Sequence, residues 1–142
     1  IMNLERAIEI AVTAHRGQVD KSGAPYILHP LRVMLSLKTE EERIVAVLHD
    51  VVEDCEEWPL DRLRGEGLPE ELATALESVT RNDGETYTEF IERSKTNAIG
   101  RRVKAADLRD NMDLSRIENP TEQDHKRTEK YRTALVRIGE TP

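Results

Sequence analysis

Apolar positions recur along this chain at helical spacing, and no segment alternates as a strand does. Residues 3–16 carry Leu4, Ala7, Ile8, Ala11, Val12, Ala14 and His15 on one stripe. Asn3 is placed to cap the first turn, and Gly17 to end the helix. Residues 17–26, polar with two glycines and a proline, predict a loop. Helical spacing resumes over Ile27–Leu37, with His29-Pro30 in a first turn that tolerates proline. Thr39 and Glu42 read as a capping box, and the helix behind them, 40 to about 52, presents Ile44, Val47, Leu48 and Val51 to a core. Trp58-Pro59 starts a short helix through Leu63, broken by Gly65 and Gly67. Pro69 opens another, carrying Leu72, Ala73, Leu76 and Val79. After a loop over 81–86 come a short helix over 87–95 and a longer one over 98–117, with Val103, Ala106, Leu108 and Met112 as apolar positions. Asn119-Pro120 breaks it, and a last, highly charged helix over 121–138 packs through Tyr131, Leu135 and Ile138. There is no repeat, low-complexity segment or linker. The pattern predicts an all-α fold, a compact bundle of about eight helices, as a single domain over residues 1–142.

Composition sharpens this reading. Aromatic residues make up 4% and charged residues 35%, which suits Leu/Ala/Val-packed helices better than a sheet. A chain of 142 residues is long enough to bury a real core. The net charge of −7 argues against a nucleic-acid polymer held by bulk charge, while leaving room for a local basic pocket around a small anion. Cys55 is the single cysteine, so no disulfide forms within the chain, and a reducing cytoplasm is the expected location. No apolar run approaches a membrane span, and the first residues lack a signal pattern, so no membrane partner is expected. Oligomeric state is not written in the sequence.

One stretch breaks the amphipathic pattern. Residues 48–54, LHDVVED, put an imidazole and three carboxylates at the end of a helix whose preceding turns are apolar. Residues three and four apart share a helix face, so Asp50, Glu53 and Asp54 cluster, with His49 on the flank. Like charges repel, and a helix C-terminus disfavours anions. This is either a solvated helix end or the seat of a cation. Asp107 adds weight to the second reading. It lies between Ala105-Ala106 and Leu108, with Asp110 and Asn111 on its own face, and a carboxylate buried there needs a partner. His29 alone, beside a proline, would be an ordinary packed histidine, and His125 among charges a solvated one.

Three separated motifs, AHRGQVDKSGAPYILHP, LHDVVED and KAADLRDN, together resemble the HD-domain hydrolases. The chain looks most like the alarmone hydrolase domain of the RelA/SpoT proteins and the stand-alone small alarmone hydrolases, from about residue 4 to residue 117. The resemblance implies an HD-type bundle. It implies a divalent metal, Mn²⁺ first, held by His29, His49, Asp50 and Asp107, a mixed N/O donor set that suits that ion. It implies that Glu53 and Asp54 position and activate the attacking water, as catalytic residues. Lys21, Ser22 and Asn111 fall where the family binds its nucleotide, with Arg81 and Tyr87 as weaker candidates, and His15 falls where a structural, loop-holding role is expected. The implied activity is removal of the 3′-pyrophosphate from (p)ppGpp, a small-molecule nucleotide.

There are departures. Asp20 stands where the alarmone hydrolases usually carry a basic residue beside guanine, and a carboxylate makes no cation–π stack and repels phosphate. The third motif reads DLRDN, and Cys55 stands where a threonine is common. These favour, as alternatives, the same machinery acting on another nucleotide or phosphate ester, or a non-catalytic nucleotide-binding module. The intact Glu53-Asp54 pair favours an enzyme.

Overall fold

A computed structural model describes residues 1–140, and these form eight helices. They are α1 (Leu4–His15), α2 (Leu28–Leu35), α3 (Glu40–Asp54), α4 (Leu60–Gly65), α5 (Glu70–Ser78), α6 (Tyr87–Lys95), α7 (Ala98–Met112) and α8 (Glu122–Ile138). Extended pairing among the described residues is one antiparallel bridge, Val19 to Pro25, which closes the loop between α1 and α2. No helix among them is long and apolar enough to cross a membrane.

The starts of the helices follow local chemistry. Asn3 accepts from the Arg6 amide, and Thr39–Glu42 forms the expected capping box. The same device opens α6 with Thr86 and Glu89 and α8 with Thr121 and Asp124. Several ends differ from expectation: α2 closes at Leu35 and not at 37, and α4 starts at Leu60 and includes Gly65, the expected breaker. The helix α3 runs two residues further, to Asp54. The helix α7 stops at Met112 and not at 117, because Asp113 accepts the Ser115 amide and pairs with Arg116, turning the chain aside.

The helix α3 is the hub, packing on α1, α2, α5 and α7. Ile44, Val47, Leu48 and Val51 are buried as expected, and Val45 and Ala46 are buried too, so α3 is enclosed on nearly all sides over this stretch. On α1 the buried face is rotated from the predicted stripe. Ile10 lies inside at 1% exposure, while Val12 is 38% exposed. Two apolar clusters hold the bundle. The larger joins α1–α5 with Val103 and Ala106 of α7. The smaller is Ile91, Ala105, Leu108, Ala134, Leu135 and Ile138, with Tyr131 against it. Thus α7 is the seam between them, and it meets both α2 and α3.

Candidate metal centre and active site

Where α2, α3 and α7 meet, four side chains converge. His29 comes from the first turn of α2, His49 and Asp50 from the last turns of α3, and Asp107 from α7. All four are buried, at 3–8% exposure. His29 Nε2 lies 2.9 Å from Asp107 Oδ1 and 3.6 Å from Asp50 Oδ2. His49 Nε2 lies 3.2 Å from each of the same two oxygens. One atom each of His29, His49 and Asp50 falls within 4.8 Å of the others.

The surroundings fix these groups in a ligating posture. The Nδ1–H of His29 donates to Asp110 Oδ2 at 2.7 Å, and Asp110 is held by a bidentate pair from Arg32. The Nδ1–H of His49 donates to the Ala46 carbonyl at 2.5 Å. With Nδ1 committed as donor, Nε2 is the atom each imidazole turns toward the two carboxylates, and once its proton leaves, its lone pair is placed as a metal-bound histidine requires. Tyr26 donates to Asp50 Oδ2 at 2.5 Å, Lys104 to Asp107 Oδ2 at 2.9 Å, and Asn111 to Asp107 Oδ1 at 3.1 Å. Two lone pairs facing two anions repel unless a cation or protons lie between them, so the donor set fits a divalent ion.

The titration of the site says the same. Burial disfavours a charge on His29, yet its hydrogen bonds to Asp107 and Asp110 prevail and push it up to about 10. His49 is raised as well: burial opposes it, and the Asp50 and Asp107 charges outweigh that. Burial would raise Asp107, but Lys104 and the two imidazoles hold it well below the usual carboxylate range. Protons on the imidazoles satisfy in the metal-free protein the charge balance that a cation would supply.

Glu53 and Asp54 lie in the last turn of α3, both exposed, and that turn carries no basic residue. Both are raised above the ordinary carboxylate range, by partial desolvation first and then by the repulsion of Asp50. The Arg81 amide donates to Glu53 Oε1 at 3.2 Å. Glu53 lines a cavity of ≈ 230 Å³ together with Asp50 and Asp107.

A second cavity, of ≈ 330 Å³, opens on the other side of His29. Lys21, Ser22 and Asn111 line it, with Arg32, Arg116, Arg127 and Tyr131. The predicted nucleotide residues are thus brought together. Asp20 proves to be a loop clasp. Its Oδ1 accepts from the Ser22 amide at 2.9 Å, the Ser22 hydroxyl at 2.8 Å and the Ala24 amide at 3.0 Å, so much of its charge is spent on the backbone. His15 sits 1% exposed, with Nδ1 2.8 Å from Gln18 Oε1, and holds the loop as expected. Sequence reading missed Tyr26, Arg32, Lys104 and the inward role of Asp110. The signals were present: Tyr26 and Arg32 flank His29 at three residues, and Lys104 and Asp110 flank Asp107 at three.

No family model matches the chain. A probable GTP pyrophosphokinase of Mycobacterium leprae is 32% identical over 139 residues, 89% of this chain and 17% of that protein. The guanosine-3′,5′-bis(diphosphate) 3′-pyrophosphohydrolase of Vibrio cholerae is 40% identical over 57 residues, 37% of this chain and 8% of that protein. The protein of the same description from Aquifex aeolicus is 38% identical over 82 residues, 55% of this chain and 12% of that protein. The chain is a relative of the RelA/SpoT proteins. It spans less than a fifth of the length of these curated relatives. Among solved structures, a metazoan ortholog of SpoT that hydrolyses ppGpp superimposes with a TM-score of 0.75 at 21% identity, covering 95% of this chain and 84% of that one. The HD-type bundle read from the motifs is therefore the fold observed for this RelA/SpoT relative.

Proposed function

We propose that this chain is a metal-dependent phosphohydrolase that removes the 3′-pyrophosphate of (p)ppGpp, acting on a free nucleotide in the cytoplasm. The observation that carries the reading is that each of two Nε2 atoms lies within 3.6 Å of each of two carboxylate oxygens, every group braced by its own partner, beside two carboxylates with raised pKa values. His29, His49, Asp50 and Asp107 would hold the ion, Mn²⁺ in the first instance. When bound, a divalent cation lowers the pKa of the attacking water and offsets phosphate charge.

The remaining steps fall to the protein. Glu53, one turn beyond His49 and facing the cavity, takes the water proton, and its raised pKa makes it a better base than an ordinary glutamate. Asp54 raises the basicity of that corner by repulsion. Lys21 and Ser22 meet the nucleotide at the mouth of the larger cavity, and Asn111 meets its sugar. The buried walls around His29 and His49 keep bulk water from the ligands. The clasp turns Asp20 Oδ1 onto its own loop and so lessens its repulsion of an anionic substrate on that side. A second reading, hydrolysis of another nucleotide or phosphate ester, draws on the same residue, because Asp20 cannot stack on guanine as a cation does.

The test is product analysis after metal-free protein, resupplied with Mn²⁺, meets ppGpp. GDP and pyrophosphate are expected. Absence of turnover with Mn²⁺ bound would exclude the alarmone and favour another phosphate ester. Failure to retain Mn²⁺ would overturn the metal site itself.

A further inference from the structure

The cavity that holds Glu53 has a second wall that the mechanism above leaves idle. It is formed by Arg81, Tyr87 and Phe90 on and before α6, Lys104 on α7 and Lys130 on α8. Most cations near the site are spent on neighbours: Arg32 on Asp110, Arg127 on Asp124, and Arg93 on Glu85. Arg81 and Lys130 differ. Neither has a carboxylate within ion-pair distance among the described residues, in a chain of net charge −7. Both lie over the Tyr87 ring, Lys130 Nζ at 4.0 Å from its centre and Arg81 Cζ at 5.9 Å. The Tyr87 hydroxyl is buried and has no hydrogen-bond partner, which is costly for a polar group unless a ligand supplies one. Lys104 gives one N–H to Asp107, and two more remain.

With the ligand carboxylates neutralised by an ion, this pocket carries a surplus of positive charge and an idle hydroxyl. We propose that it is the diphosphate subsite, in which Arg81, Lys104, Lys130 and the Tyr87 hydroxyl hold the outer phosphate of the group being released, while the nucleoside occupies the larger cavity beyond His29. The inference rests on the phosphohydrolase reading above. In the reaction the water oxygen bonds to the inner phosphorus, the bond from that phosphorus to O3′ breaks, one water proton ends on O3′, and the second leaves through Glu53. Inorganic diphosphate remains against α6 and α8. His29, Tyr26, Asn111 and Tyr131 line both cavities and so mark the division between product halves.

The test is calorimetric titration of Mn²⁺-loaded protein with inorganic pyrophosphate, and separately with GDP. The double variant R81A/K130A removes two exposed side chains, and its Mn²⁺ content checks that the site survives. Pyrophosphate binding is expected to weaken by about tenfold or more, with GDP binding unchanged. Tyr87→Phe, which deletes only the hydroxyl, is expected to weaken pyrophosphate by several-fold with the same selectivity. These outcomes support the subsite even if ppGpp proves not to be the substrate. Pyrophosphate affinity unchanged in both variants, or pyrophosphate and GDP weakened equally, would overturn it even in an active ppGpp hydrolase.

Discussion

Glu53 and His29 line the same cavity, yet they answer different questions. Glu53 is exposed, touches no proposed ligand directly and is held by one backbone amide, so its loss should leave the ion in place. Glu53→Gln is expected to lower kcat by about 10²–10⁴-fold, the usual worth of a positioned base, with Mn²⁺ content unchanged by elemental analysis. A fall in Mn²⁺ content would make Glu53 a ligand instead. His29 governs pH. Its pKa rises from 6.5 to about 10 on folding, so its imidazolium stabilises the metal-free fold fully below about 6.5 and ceases to do so as pH climbs through about 10. A metal must displace that proton. Its affinity is therefore expected to rise with pH across this window and to release protons on binding, measured by titration in buffers of different ionisation enthalpy. At this scale the proposed ligands were legible only through the family resemblance, which maps its motifs onto His29, His49, Asp50 and Asp107. The braces were marked only by their three-residue spacing from His29 and Asp107, and the partner each would find was not legible, since Tyr26 finds Asp50 across 24 residues and Arg32 finds Asp110 across 78.

Helices α5 and α7 cross at Gly100. A Cβ built there would lie 1.9 Å from Ser78 Oγ and 3.2 Å from Ser78 Cβ. Ser78 Oγ is itself bonded to the Ala75 carbonyl at 2.6 Å, so it cannot swing away freely. Gly100→Ala is expected to destabilise by about 1–3 kcal/mol through overpacking, despite the better helix propensity of alanine. Adding Ser78→Ala should recover part of the loss, and a double-mutant cycle by chemical denaturation would show it; additive losses would refute the contact. Sequence pattern located all eight helices, because caps and breakers act over three or four residues. It extended α7 to 117 because Asn119-Pro120 is the breaker it shows for that helix, whereas in the fold α7 stops at Met112 and Leu114 and Ile117 line the larger cavity. It placed Val12 in the core of α1 for a similar reason: spacing defines a stripe but not its rotation, which the contact with α3 decides.

For the molecule as a whole, the centre sits beside α7, the helix that contributes to both apolar clusters. An ion bound there reinforces the packing of α2 and α3 on that seam. At a hundredfold excess over Kd it adds about 2.7 kcal/mol. For a domain of this size that corresponds to a rise in Tm on the order of 5–10 °C, read by calorimetry with and without chelator. A Tm indifferent to Mn²⁺ and chelator would remove the ion from the folded state. That balance was not legible in the sequence. Composition announced a helical core, but the division of α7 between two clusters depends on which neighbour each of its faces meets.

His29 lies 78 residues from Asp107 along the chain, and His49 lies 58 from it. The proposed ion would act at that point as a removable clasp across two long stretches of chain. Such a clasp cannot close until three distant helices have already docked, so it belongs to the last stage of folding. Mn²⁺ is therefore expected to slow unfolding in stopped-flow measurements and to leave the refolding rate nearly unchanged. Withdrawal of the ion would leave a chain that still finds its shape at the old speed and lets go of it sooner.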